Sequence, residues 1–199
     1  MELWEVIRRR RMVRAFDPRP VPRDLVDTVL DAARRAPSAG NTQGWGFLVL
    51  DHPVDVSRFW EVNLPGEARG TFRWQGLLDA PVIVVPLADR DAYLERYAEP
   101  DKAATGLARA EHWSVPYWWV DTAFATMQLQ LAAVDAGLGV LFFGLFGRAS
   151  AVQEAFEVPE RLVPLGAVAL GYPAPDEPGR SASRPRRDFD DVIRRGRWG

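Results

Sequence analysis

The chain has 199 residues, 47% hydrophobic and 26% charged, with 8 Trp, 10 Phe and a formal net charge of −2. A composition this rich in large apolar side chains fills a folded core and excludes intrinsic disorder. Cysteine is absent and the only histidines are His52 and His112, which excludes disulfides, thiolate chemistry and a histidine-rich metal site within one chain.

The length suits a single domain spanning 1–199. No apolar run is long enough to span a bilayer, and the N-terminus lacks a basic region followed by an apolar one. A cytoplasmic protein without a membrane partner is therefore expected. In chain order, "ELWEVIRRRR" predicts a short helix with Leu3, Val6 and Ile7 on one face. A Pro-rich connector follows, and Pro22 is placed to open a helix whose Leu25, Val26, Val29, Leu30 and Ala33 recur at helical spacing. Pro37 ends that helix, "PSAGNTQG" reads as a loop, and "WGFLVL" (45–50) as a strand. Residues 51–76 are polar, interrupted by Pro65, Gly66 and Gly70, and fit no single period. The β-branched run "APVIVVPLA" (80–88) predicts a buried strand. Residues 89–119 are the most aromatic and least periodic part, with Trp113, Tyr117, Trp118 and Trp119 around Pro116. Residues 120–137 predict a long helix, apolar most of the way round and hence central, with Gly137 at its C-terminal cap. A strand running into a turn is expected at 140–147, then a short helix with Ser150 as candidate N-cap, then a strand at 163–173 and an Arg- and Pro-rich tail. The order lacks an internal repeat and the regular alternation of a doubly wound fold, which points to α+β.

Charge is unevenly spread. Residues 8–19 hold six Arg against one acid, and residues 180–199 hold seven Arg against three; the span between carries a net charge of −9. Arginines as dense as those of "RRRRMVRAF" (8–16) repel one another, so something negative should sit among some of them. The planar guanidinium fork suits a phosphate, and Arg10 and Arg14 share a face if the first helix continues. Taken alone, the cluster is more economically a solvated helix end favoured by the helix dipole. The same holds for "APSAGNTQGW" (36–45), whose exposed N–H groups and amides suit a polar ring edge but also describe an ordinary helix stop. It holds again for "RPRR" (184–187), an anion clamp or a solvated tail. "GLGVLFFG" follows a helix and precedes a strand, the reverse of a dinucleotide-binding turn. No phosphate-binding P-loop, zinc-protease motif or nucleophile elbow is present, and Asp190 and Asp191 lie among arginines that suit ion pairing. No basic stripe interleaved with aromatics runs through the acidic body, so no nucleic-acid partner is expected.

Together these stretches say more than any one. The order R-R-x-V-R-x-F, then P-V-P, then a helix ending in A-P-S-A-G-N-x-Q-x-W closely resembles the FMN-dependent nitroreductase family. "LAAVDAGLGVLFFGLFG" resembles that family's central helix, turn and strand, and "ALGYPAP…RPRRDFDDVI" its closing strand and basic loop. The resemblance covers most of 1–50 and 75–193 and is weak over 51–74 and 89–119.

It implies a three-layer α/β/α sandwich with a mostly antiparallel sheet, variable lid regions at 51–75 and 89–119, and a C-terminal extension at 174–199. It also implies a homodimer with FMN at the subunit interface. Arg10, Arg11 and Arg14 would hold the phosphate and ribityl chain, with Met12 in the same motif, and Arg184 and Arg186 would converge on that phosphate. Pro37, Ser38, Ala39 and Asn41 would come from the other subunit to line the flavin. Phe143, Gly144 and Leu145 would lie near flavin N5, and Arg73 and Gln75 would face the pyrimidine edge. Trp113 and Tyr117 would cover the ring face as substrate contacts, unless they only pack beside the central helix. The implied activity is hydride transfer from NAD(P)H to N5 and onward to a nitroaromatic, quinone or related acceptor, with no metal. The flavin carries the redox chemistry, so no protein acid–base pair is needed. The alternatives are a protein that stores flavin or the deazaflavin F420 without turnover, and a specialised relative such as a dehydrogenase or dehalogenase. Three departures stand out: Met12 replaces a usual hydroxyl residue, Gly44 a usual proline, and Gly144 a residue that is often acidic.

Overall fold

A computed structural model describes residues 1–177 and 179–198, with Arg180 by its backbone alone. Among these, six strands form one sheet. They are β1 (Phe16–Asp17), β2 (Trp45–Leu50), β3 (Val82–Asp89), β4 (Gly139–Phe143), β5 (Leu162–Pro164) and β6 (Ala167–Pro173). β3 pairs with β2 along one edge and with β6 and β5 along the other; β6 carries β4 on its far side and β1 at its end. Every ladder is antiparallel, and the isolated bridge between Met12 and Val140 is parallel.

The alternation along the strands explains the layers. Ile83, Val85 and Leu87 of β3, with Leu141, Ala167 and Ala169, enter one core cluster. Val82, Val84, Val140, Val168 and Leu170 enter the other. The first is covered by α3 (Pro53–Asn63) through Val56, Phe59 and Trp60, and by α7 (Ala149–Ala155) through Val152. The second is covered by α1 (Leu3–Arg9), α2 (Arg23–Arg34) and α6 (Tyr117–Asp135), through Val6, Val26, Val29, Leu129 and Ala133. A sheet buried on both faces needs apolar residues at every position, which is why the β3 run is continuous. The architecture is α+β, helices on both faces of an antiparallel sheet. The shorter α4 (Glu67–Gly70), α5 (Arg90–Ala98) and α8 (Phe189–Val192) complete the described helices. Among them none is long and apolar enough to cross a membrane.

α6 ends as expected. Gly137 adopts φ 78°, and the N–H groups of Leu138 and Gly137 donate to the carbonyls of Ala133 and Val134, a Schellman closure.

Several sequence expectations need correction. The first helix stops at Arg9, and Met12 and Val13 run extended beside β4, with Val13 N–H donating to Val140 O at 2.9 Å. Arg10 and Arg14 therefore do not share a helical face. Val6 is buried, but Leu3 and Ile7 are exposed. Ser150 lies inside α7 rather than at its N-cap, which is Arg148. The strand expected at 163–173 is two, parted at Leu165 and Gly166; a Cβ on Gly166 would lie 2.7 Å from the Phe142 ring and 2.8 Å from Phe143 O. Residues 51–76 hold α3 and α4, and 89–119 hold α5 and short 3-10 turns. Both longer helices start on local signals: the His52 ring accepts from Val54 N–H, and Asp89 Oδ1 accepts from Ala92 N–H at 3.0 Å. α6 is not buried all round, since Phe124 and Met127 face outward at 48% and 44% exposure.

Candidate active site

The five arginines of the opening motif separate by partner. Arg9 pairs with Glu5 one helical turn earlier, 2.5 Å away and solvent-exposed. Arg11 Nη1 donates to Asp176 Oδ1 at 2.6 Å, and the other oxygen of Asp176 accepts the Arg14 backbone N–H at 2.8 Å. The Asp176 side chain is only 7% exposed. The anion lodged among the arginines of this chain is thus its own carboxylate. Arg8, Arg10 and Arg14 have no carboxylate partner among the described residues. The Arg14 guanidinium donates to Met12 O at 3.1 Å and lies 5.1 Å from the centre of the Trp74 ring. A Cβ on Gly179 would come within 2.9 Å of its Cζ, so the chain at Gly179 passes close to this guanidinium.

Arg11, Met12 and Arg14 wall a cavity of about 310 Å³ whose other side is Gly179, Ser181 and Ala182. Met12 also packs against the core, so its side chain serves as wall and filler, while Ser181 brings a hydroxyl to the same cavity. Arg184 and Arg186 are exposed and do not line it.

Residues 73–76 adjoin this region. The Arg73 guanidinium lies 4.4 Å from the Trp74 ring centre, so one indole gathers Arg14 and Arg73. A Cβ on Gly76 would sit 2.7 Å from that of Ala15. Gln75 spends its amide N–H groups locally, on the carbonyls of Phe72 at 2.7 Å and Arg69 at 2.9 Å. At the end of β4, Leu145 is buried, Phe143 stacks on Trp60 with centroids 5.5 Å apart, and Phe146 meets Phe72 edge-on. No atom lies within 4 Å of where a Gly144 side chain would begin. The acid usual there is replaced by open space.

The loop after α2 lies elsewhere. Gly40, Asn41 and Gln43 all have positive φ. The loop is held from below by Asp121 of α6, 2% exposed, whose Oδ2 accepts Ala39 N–H at 2.8 Å and the Tyr93 hydroxyl at 2.8 Å. Burial, then the hydrogen bond to Asp121, raises the Tyr93 pKa far above its ordinary 10.0. Ser38 Oγ accepts Gln43 N–H at 2.9 Å, and Asn41 Oδ1 accepts from Gln43 Nε2 at 3.3 Å; Pro37 is exposed. Arg96 donates to Gly40 O at 3.0 Å and binds Asp101 through two nitrogens at 2.7 and 2.8 Å. That pairing raises the Arg96 pKa and lowers that of Asp101. Gly44 explains its own departure: a Cβ there would overlap the Tyr93 ring and sit 3.0 Å from Asp89 O.

Trp113 is the centre of an aromatic cluster, with Tyr97 4.8 Å, Tyr117 5.7 Å, Tyr93 6.0 Å and Trp118 6.1 Å away by centroids. Its indole N–H donates to Leu107 O at 2.7 Å. With Ala39, Tyr97 and Tyr117 it borders a second cavity of about 290 Å³. Tyr117 stands at 40% exposure. Within one chain, then, Met12, Arg14 and the 73–76 turn come together in one place, and the 38–41 loop, Trp113 and Tyr117 in another. Asp176, Trp74, Asp121 and Tyr93 were missed by sequence reasoning. Only the acid of "APDEPG", beside a basic tail, carried any signal.

Comparison with known proteins agrees with this architecture. The model of the family described as "Nitroreductase family" matches residues 7–172. A Methanothermobacter thermautotrophicus protein with the provisional name NADH dehydrogenase/NAD(P)H nitroreductase is 29% identical over 191 residues, covering 94% of this chain and 85% of its own. The solved structure of B. megaterium NfrA1 superimposes with TM-score 0.77 at 19% identity, covering 100% of this chain and 76% of the other. A provisionally assigned nitroreductase from Exiguobacterium sibiricum, solved in complex with FMN, gives TM-score 0.74 at 19% identity over 98% and 97% of the two chains.

Proposed function

The chain belongs to the nitroreductase family, and on that premise we propose that it is an FMN-dependent oxidoreductase. It works as a homodimer and uses NAD(P)H to reduce a nitroaromatic, quinone or related small acceptor. The observation that carries this reading is Arg14. Its guanidinium has no carboxylate partner among the described residues, and it borders a cavity shared with Arg11, Met12, Gly179, Ser181 and Ala182. Buried or half-buried guanidinium groups without an anion are costly unless a ligand supplies one.

The residues present fit FMN. Arg14 lines the cavity and keeps guanidinium donors for its phosphate, Arg11 lines it but is already paired, and Arg10 does not line it. The Phe143–Leu145 corner offers backbone, with open space at Gly144 for a flat ring to approach. When bound, FMN would supply the two-electron redox chemistry that links NAD(P)H to the acceptor. The protein's part is to grip the phosphate, orient the ring and shape the space above it.

Two features support a dimer. The loop that carries Pro37, Ser38, Ala39 and Asn41 borders, through Ala39, a different cavity from the arginines of its own chain, so a partner's loop would complete the site. Phe124 and Met127 of α6, and Trp4 of α1, leave apolar surface uncovered. Trp113 packs beside Tyr117, which is exposed and would meet the acceptor. Arg184 and Arg186, exposed and without ion-pair partners among the described residues, remain available to the phosphate if the tail folds inward.

The test is an absorbance spectrum of the purified protein under anaerobic conditions. Two visible flavin bands, bleached on adding NADPH or NADH and restored by a nitroaromatic or quinone, are expected. Colourless protein that takes up no added FMN would refute the proposal.

A further inference from the structure

Residues 174–177 and 179–183 lie along the arginine stretch as a strap. Ala174 N–H donates to Ala15 O at 3.0 Å, which extends the β1–β6 pairing by one bond. Two residues on, Asp176 turns its carboxylate inward to 7% exposure and holds both the Arg11 side chain, at 2.6 Å, and the Arg14 backbone N–H, at 2.8 Å. Gly179 then passes flat against the Arg14 guanidinium, and Ser181 and Ala182 close the cavity that Arg11, Met12 and Arg14 open.

A carboxylate beside a phosphate site repels the phosphate, so its presence there calls for a compensating role. The geometry supplies one. Arg10 caps α1, its N–H donating to Val6 O at 2.9 Å, whereas Arg11 and Arg14 follow beyond the helix, where no helical bonds fix them. Among the described residues, Asp176 is the acidic group that bonds to this segment twice, through a side chain and a main-chain N–H. It neutralises Arg11, leaves Arg14 cationic, and fixes the backbone from which the Arg14 side chain departs.

Resting on the flavin reading above, we propose that Asp176 is the positioning residue of the phosphate site: it ties the segment that follows β6 to Arg11 and Arg14 so that the Arg14 guanidinium is held ready for the phosphate monoester of the cofactor. Asp176 does not touch the ligand. It contributes by cutting the ordering cost that a free arginine would incur on binding.

The experiment compares FMN with riboflavin, which lacks the phosphate, by fluorescence titration of the deflavinated full chain and its Asp176→Asn variant. Asp176→Asn is expected to weaken FMN about tenfold and to leave riboflavin within about twofold. Unchanged FMN affinity, or an equal loss for both flavins, overturns the proposal, because a general loosening of the fold does not distinguish the two ligands. Asp176→Glu, which keeps the charge and moves it by one methylene, gives the same readout if the Asn variant does not fold. A loss of about threefold confined to FMN is expected of it, and an unchanged or equal loss again overturns the proposal. Wild-type protein that binds neither flavin refutes the flavin reading itself, whereas wild type that binds FMN alongside an indifferent Asp176→Asn refutes only the role of Asp176.

Discussion

The arginine stretch at residues 8–14 and the loop at residues 38–41 are both expected to meet one flavin, yet they are held in opposite ways. The first is anchored from outside, by a strap whose Asp176 bonds two exposed or half-exposed arginines. The second is anchored from inside, by Asp121, which is 2% exposed and bonds a main-chain N–H and the buried Tyr93 hydroxyl. In the first anchor the arginine side is open to solvent, 54% exposed at Arg11 against 7% at the Asp176 carboxylate, so water can replace the acceptor there. In the second both donors lie where water cannot replace it, and losing the acceptor leaves them unsatisfied. The loop should therefore be stiff and coupled to global stability. The arginine stretch should be adjustable and coupled to ligand.

The sharpest way to break that contrast is Asp121→Ala. Two donors lose their acceptor in the core, and a loss of about 3 kcal/mol is expected in chemical denaturation. A loss under about 1 kcal/mol would mean that the loop does not depend on its buried anchor. Next comes Gly44→Ala, where the new methyl group must displace the Tyr93 ring. Overpacking of this kind costs about 2 kcal/mol, and a neutral effect on the denaturation midpoint would argue against the close approach.

Tyr93→Phe is expected to cost about 1 kcal/mol near neutral pH. It also tests the raised phenol pKa, for which the sign is definite. The fold favours the neutral phenol, so this contribution is full below the unfolded value of 10.0 and is lost as pH climbs above it. Wild type should lose stability faster than Tyr93→Phe above about pH 10; parallel alkaline profiles would contradict the assignment. The smallest effect belongs to the arginine stretch. Arg9→Ala removes an exposed pair with Glu5 and should change stability by less than about 0.5 kcal/mol, measured by thermal melting.

The same contrast marks what was legible in the sequence. The β3 run announced itself because both faces of the sheet are covered, and α2 because its apolar stripe has one partner layer. The helices at 53–63 and 90–98 were hidden. Their starts rest on His52 and Asp89, single-residue caps inside polar sequence, and α3 buries Val56, Phe59, Trp60 and Asn63 in a pattern broken by polar residues. The site divided in the same manner. Arginines stand out by charge, whereas Asp121 sits in an apolar helix and Tyr93 in a polar one, and nothing local indicates that they meet. Asp176 fell between, an acid in a basic tail whose partner lies 165 residues away.

The central claim is that the opening arginines hold the phosphate of a flavin, and it is tested most directly by comparing Arg14→Ala with Arg8→Ala. FMN affinity of the deflavinated protein should fall about tenfold or more in Arg14→Ala, the scale of one charge-assisted hydrogen-bonded contact. It should stay within about twofold in Arg8→Ala, which has no ion-pair partner among the described residues and does not line the cavity. Equal losses in the two variants, or none in either, would contradict the assignment.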